Sequence, residues 1–132
     1  MNFTVSTKGH YDFVDITDQI REIVAQATVK EGLVLVFVKG STAALTIIEN
    51  EKGIFKDIKQ ILEKLAPEAS DYQHHQKWGD HNGAAHIKAS LIKPDVVIPL
   101  TNGILDLGTW QQIILIDFDE KSREREIVVK VV

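Results

Sequence analysis

Hydrophobic positions along the chain switch between two periods. Phe3, Val5 and Thr7 alternate with polar neighbours, which predicts a strand. After a turn at Lys8-Gly9-His10, Tyr11 and Phe13 resume the alternation, which extends towards Ile16. Thr17 is placed to cap a helix, with Asp18 in its first turn, and Ile20, Ile23, Val24 and Ala27 recur at helical spacing. Gly32 offers that helix a left-handed C-cap. Leu33 to Val38 is a continuous apolar run between Gly32 and Gly40, the signature of a strand buried on both faces. Ala44 to Ile48 predicts another strand. Ile54, Ile58, Ile61, Leu62 and Leu65 make one stripe of an amphipathic helix, stopped by Pro67.

The segment from Glu68 to Gly83 is polar and has no clear period, and Ala84 to Leu91 suits a short helix. Val96 to Ile98 predicts a strand ended by Pro99. Asn102-Gly103 is a tight-hairpin signal, with Ile104 to Leu107 as the return strand. Trp110 to Phe118 is strongly β-prone. Asp119 to Glu124 is a charged turn, and Glu126 to Val132 is a last strand apolar enough to need cover on both faces, from the sheet or from a partner subunit. Strands arrive in pairs between helices. The pattern therefore predicts a single layered α+β domain over residues 1–132, with mixed or antiparallel sheets and two main helices.

Charge and composition narrow the chemistry. Fifteen Lys+Arg against 19 Asp+Glu leave a net charge of −4, the wrong sign for a nucleic-acid binder that relies on counterion release. With no Cys there is no disulfide and no thiolate, so any metal site must be built from His and carboxylates. No basic-then-apolar leader opens the sequence, and no apolar run reaches the ~20 residues of a membrane span. The expectation is a cytoplasmic protein with no membrane partner.

Four of the five histidines, His74, His75, His81 and His86, fall within thirteen positions, where even placement would put roughly half a histidine. Histidine is the common transition-metal ligand and the usual acid/base near neutrality. Any one of them taken alone is as well read as a solvated loop residue. Gly40-Ser41-Thr42 follows a predicted strand and suits an anion, but equally a plain turn. The segment Gly108-Thr109-Trp110-Gln111 suits either a close backbone approach or a core tryptophan.

Taken in order, these pieces resemble the YjbQ family, described as secondary thiamine-phosphate synthases. The resemblance is carried by Ser41-Thr42-Ala43-Ala44-Leu45-Thr46-Ile47 with Glu49, by Tyr72-Gln73-His74, and by Asn82-Gly83-Ala84-Ala85-His86-Ile87. Ile98-Pro99, Leu107-Gly108-Thr109-Trp110-Gln111-Gln112 and Asp117-Phe118-Asp119 with Arg123 and Arg125 complete it. Gly40 stands where the family pattern has a histidine, Asp117-Phe118-Asp119 where it has Glu-Phe-Asp, and Glu120-Lys121 where it has Gly-Pro.

The resemblance implies an α+β homotrimer with a site near the subunit boundary. It implies transfer of a hydroxymethylpyrimidine, from its diphosphate, onto a thiazole phosphate. Such a reaction needs counter-charge for the leaving pyrophosphate. In an acidic chain that favours a divalent metal, zinc or similar, with magnesium suited to a diphosphate substrate. His74 and His86 are the expected ligands, and His81 is the substitute for the histidine missing at Gly40. Asp80 and Asn82 are placed to support them, Asn82 also as a substrate contact. Ser41 and Thr42 are expected to position phosphate, and Tyr72, Trp110 and Gln111 to wall the pyrimidine. Glu49 and Asp117 are the expected acid/base groups. Two other readings compete: a metal-dependent hydrolase of a small phosphorylated metabolite, and a non-catalytic trimeric metal- or metabolite-binding protein.

Overall fold

The computed structural model describes the backbone of all 132 residues and every side chain except those of residues 76–78. The chain order is β1 (Asn2–Thr7), β2 (Asp12–Asp15), α1 (Thr17–Gln26), β3 (Gly32–Val38), β4 (Ala43–Ile48) and α2 (Lys52–Leu65). It continues with α3 (Gln73–Trp78), α4 (Gly83–Ile92), β5 (Asp95–Thr101), β6 (Ile104–Leu105), β7 (Gln112–Asp117) and β8 (Arg123–Val131). The strands form a five-stranded sheet, β1-β8-β3-β5-β6, and a three-stranded sheet, β2-β7-β4. All their pairings are antiparallel. This is the layered α+β architecture that the pattern predicts.

Two hydrophobic layers hold it together. Between the sheets, Val34, Val36, Ile98, Ile127 and Val129 meet Leu45, Ile113 and Leu115, and Ile20 and Val24 of α1 close one end. On the other side of the small sheet, Ile114, Ile116 and Ala44 pack against Leu62 of α2 and Ala85 and Ala89 of α4. Successive residues of β7 therefore feed opposite layers, and Ile113 to Ile116 are fully buried.

That corrects the expectation for Leu33 to Val38. In β3 only Val34, Val36 and Val38 are buried, while Leu33 and Phe37 face outward and are exposed. Among the described residues no layer covers that face within one chain, so a continuous apolar run did not mean two-sided burial. The last strand, β8, is central in the sheet as expected, flanked by β1 and β3, but like β3 it is buried on one face only, through Arg125, Ile127 and Val129.

Other boundaries moved for local reasons. Thr17 does not cap α1. Its hydroxyl donates to Asp15 Oδ1 (2.6 Å) and accepts from the Ile113 N–H (2.8 Å), fastening the helix start to β7. Gly32 is not a C-cap, since α1 ends at Gln26 with an extended Ala27. An added Cβ at Gly32 would lie 2.0 Å from the Val132 carbonyl, so glycine there permits a close strand approach. Pro99 does not end β5. Its carbonyl accepts from the Asp106 N–H, which places its missing N–H on the side of the two-residue β6, at the sheet edge. Asn102 and Gly103 both have positive φ (52° and 75°), as a two-residue hairpin of this type requires. Helix α3 forms inside the stretch that showed no period, in addition to α1, α2 and the short helix expected from Ala84, which is α4.

Candidate functional site

The antiparallel register of β4 and β7 aligns Ala43 with Asp117 and Ile48 with Gln112. The small sheet thus has two ends, separated by five residue steps or about 17 Å. Ser41, Thr42, Asp117, Asp119 and the start of α4 gather at one end, and Glu49, Trp110 and Gln111 lie at the other.

At the first end sits a buried ionic network. Arg125 is 6% exposed and Asp117 is 0% exposed. The guanidinium grips Asp117 with two bonds, Nε to Oδ2 (2.7 Å) and Nη2 to Oδ1 (3.0 Å). Asp117 also accepts from the Thr7 hydroxyl (2.5 Å) and the Asp119 N–H (2.9 Å). Four acceptor positions are filled, so this carboxylate has no lone pair left for an acid/base role and acts as a holding group. Thr42 is equally committed: its hydroxyl accepts from Arg125 Nη2 (2.6 Å) and donates to Asp119 Oδ2 (2.8 Å). It cannot also position phosphate.

Asp119 completes the network. Burial by itself would raise its pKa, but hydrogen bonds from Thr42 and the Glu120 N–H, with the charge of Arg123, outweigh that and hold it low. Gly40 has φ +116°, and an added Cβ would lie 2.4 Å from Arg125 Nη1. A histidine at this position would meet both an unfavourable backbone angle and the guanidinium.

Beside this network lies the histidine cluster. The rings of His74, on α3, and His86, on α4, have centroids 4.5 Å apart. His74 Nδ1 lies 3.4 Å from Asp80 Oδ1, near enough for an ion pair but not aligned as a hydrogen bond. Among the described residues both atoms are buried without a hydrogen-bond partner, and so is Asn82 Oδ1. Burial, and then the neighbouring His74, push the His86 pKa below its usual value, against the opposing pull of Asp119, Asp80 and the Ser41 main chain. His86 is thereby kept neutral at pH 7. It lines a cavity of about 230 Å³ with Gly40 and Ser41. Of the two hydroxyls expected to position phosphate, Ser41 is the one available.

His81 goes elsewhere. Its ring lies 5.0 Å from that of His75, and it lines a separate cavity of about 210 Å³ with Asn82 and His10. His75 accepts a hydrogen bond at Nε2 from the Gly83 N–H (3.1 Å), tying α3 to α4. The Tyr72 hydroxyl donates to the Pro67 carbonyl (2.6 Å), and its ring packs edge-on against His75. At the far end of the sheet, Trp110 is 71% exposed and shares a cavity of about 290 Å³ with Glu49 and Asp15. The Gln111 side chain accepts from the Gly108 N–H (2.8 Å). Within one chain these residues do not meet the histidines.

The donor chemistry fits a divalent cation: His74, His86 and Asp80 are two imidazoles and a carboxylate, two of them with buried unpartnered atoms. Among the described residues no three ligating side chains are drawn together as a ready-made cage. The residue that sequence reasoning passed over is Arg125, quoted in a motif but given no role. Its signal was available: Arg125, Ile127 and Val129 share one face of β8, and a charge on an apolar face demands a buried partner.

Comparison with known proteins agrees with this fold. The family described as "UPF0047 protein YjbQ-like" matches residues 1–132. A UPF0047 protein of Archaeoglobus fulgidus is 41% identical over 98% of both chains. A solved YbjQ-like protein of Sulfolobus solfataricus P2 superposes with a TM-score of 0.92 at 35% identity, covering 99% of this chain and 94% of that one. A YjbQ/UPF0047 protein of Clostridium acetobutylicum does so with 0.90 at 34%, covering 100% and 99%.

Proposed function

The chain belongs to the YjbQ-like UPF0047 family, and from that premise we propose that it is a thiamine-phosphate-synthase-like transferase acting on small phosphorylated ring compounds. One observation carries the reading: among the described residues His74 Nδ1, Asp80 Oδ1 and Asn82 Oδ1 are buried without a hydrogen-bond partner, and the His74 ring lies against that of His86, which lines the Ser41 cavity. Buried polar atoms without partners are costly, and a bound ligand or ion is a common reason for them.

In the proposed reaction the thiazole nitrogen bonds to the pyrimidine methylene carbon while that carbon's bond to the pyrophosphate oxygen breaks. Pyrophosphate carries the electron pair away. No proton has to move in this step, which agrees with Asp117 being fully engaged. The protein's task is to hold the two rings in line and to stabilise charge on the leaving group. Ser41 offers a hydroxyl to phosphate, and His86, kept neutral, remains free to bind a cation. A divalent cation, zinc or magnesium, held by His74, His86 and Asp80 would neutralise the diphosphate.

A homotrimer belongs to the same reading. Leu33, Phe37 and Val97 on the open face of the large sheet, and the exposed Trp110, are apolar groups that a partner would cover. Light scattering should then give three times the 14.8 kDa chain mass, and a monomer at micromolar concentration would defeat this part.

A hydrolase reading gains from one feature. With Trp110 and Glu49 about 17 Å away along the sheet, one chain offers the histidines a site for a single small substrate. The assay separates the readings. Pyrophosphate released only when both substrates are present, and lost in His74→Ala/His86→Ala, supports the transferase. Phosphate released from either substrate alone supports the hydrolase, and binding without turnover supports a binding protein.

A further inference from the structure

A second site lies outside the histidine cluster, between β2 and α2. Tyr11 and Phe13 are two residues apart, and their rings lie within 18° of parallel with centroids 6.4 Å apart. Phe55, from α2, stacks on Phe13 at 4.3 Å and 12°. All three line a cavity of about 260 Å³, near the small end of the range for ligand sites. Its rim carries Lys52, Lys56 and Lys59. Their spacing, i, i+4 and i+7, sets three ammonium groups on one face of α2. Among the described residues none of the three is in an ion pair, although the chain as a whole is acidic.

The aromatic floor is fixed in place. The Tyr11 hydroxyl donates to Glu63 Oε2 (2.5 Å), and the buried Lys88 bonds the same oxygen while its ammonium lies 4.6 Å from the Tyr11 ring centroid. Glu63 Oε1 accepts from the Glu68 N–H (3.0 Å). Glu63 is therefore occupied and does not compete for the rim lysines. Lys59 Nζ lies 5.4 Å from the Tyr11 ring centroid, at the end of a flexible stem.

The backbone that delivers Tyr11 is also unusual. Gly9, His10 and Tyr11 have φ of +80°, +51° and +66°. A left-handed tyrosine is rare, and strain of this kind gathers where a fold holds a side chain for use.

We propose that this cavity binds a small flat ring carrying a phosphate, the ring against Tyr11, Phe13 and Phe55 and the phosphate among Lys52, Lys56 and Lys59. The proposal does not depend on what the histidine cluster does. Phenyl phosphate is a suitable probe, with inorganic phosphate and phenol as its separate halves, followed by calorimetry and by the NMR shifts of the Tyr11, Phe13 and Phe55 rings.

Phenyl phosphate should bind more tightly than either half and shift those three rings. Lys56→Glu/Lys59→Glu, at exposed positions, should weaken it about tenfold or more, since two charge-assisted contacts are lost. Phe55→Leu should weaken phenyl phosphate but not inorganic phosphate. His74→Ala/His86→Ala should leave all three affinities unchanged. The proposal is overturned if phenyl phosphate fails to bind at millimolar concentration, or if Lys56→Glu/Lys59→Glu binds it as wild type does. It is also overturned if binding is lost only in the histidine variant, which would place the phosphate at the other site and leave the transferase reading standing.

Discussion

Two polar clusters lie side by side at one end of the small sheet, and they are built on opposite rules. Around Arg125, buried hydrogen-bonding capacity is matched: Asp117 fills four acceptor positions, and Thr42 both accepts and donates. Around His74, three buried polar atoms make no hydrogen bond among the described residues. A saturated network contributes rigidity and has nothing left over for a ligand. An unsaturated one costs stability and keeps its donors and acceptors free. The difference marks the first cluster as holding and agrees with the binding role proposed for the second, although the sequence marks both with the same residue types.

The sharpest way to break that contrast is Arg125→Ala. It leaves Asp117 buried without its counter-charge, while Asp119 keeps Arg123 (3.0 Å), and should cost about 3–5 kcal/mol in urea unfolding. A loss under ~1 kcal/mol would mean the network is not holding the fold. Gly40→His, which restores the residue of the family pattern, should cost about 1–3 kcal/mol by the same measurement, because φ is +116° and Arg125 occupies the space. A neutral or stabilising outcome would show that the guanidinium yields easily.

A smaller effect comes from pH. Folding favours neutral His86, so its contribution is complete above the unfolded value of about 6.5 and declines as pH falls below it towards the lowered folded value. Thermal melts should show stability dropping between pH 7 and 5, with a shallower slope in His86→Gln. Smallest of all, Asp80→Ala should change stability by no more than ~0.5 kcal/mol, because its Oδ1 has no hydrogen bond to lose. A loss of about 2 kcal/mol would move Asp80 into the holding class.

Much of the fold was legible residue by residue. Alternation in β1, the apolar run of β7, the stripe on α2 and the Asn102-Gly103 hairpin all rest on interactions between near neighbours, and local patterns encode those. Helix α3 was not legible: its six residues carry no apolar period, and what shapes it includes a left-handed Gly79 at its end and the His75–Gly83 bond to α4. The candidate site was half legible. Clustering and motif order picked out His74 and His86, and the structure sets their rings side by side. His81, Thr42 and Asp117 have suitable chemistry too, but their partners are up to 110 positions away in the chain.

By itself the sequence determined the layered α+β class, the family and the histidine-rich segment, because composition, period and motif order are properties of short stretches. Tertiary structure decided which polar groups are spent and which are free. Antiparallel pairing of β4 with β7 sends Trp110 and Glu49 away from the histidines, and the buried face of β8 carries Arg125 to Asp117. A side chain's hydrogen-bonding capacity is written in its residue type, but whether that capacity is already used depends on what the fold brings within about 3 Å of it.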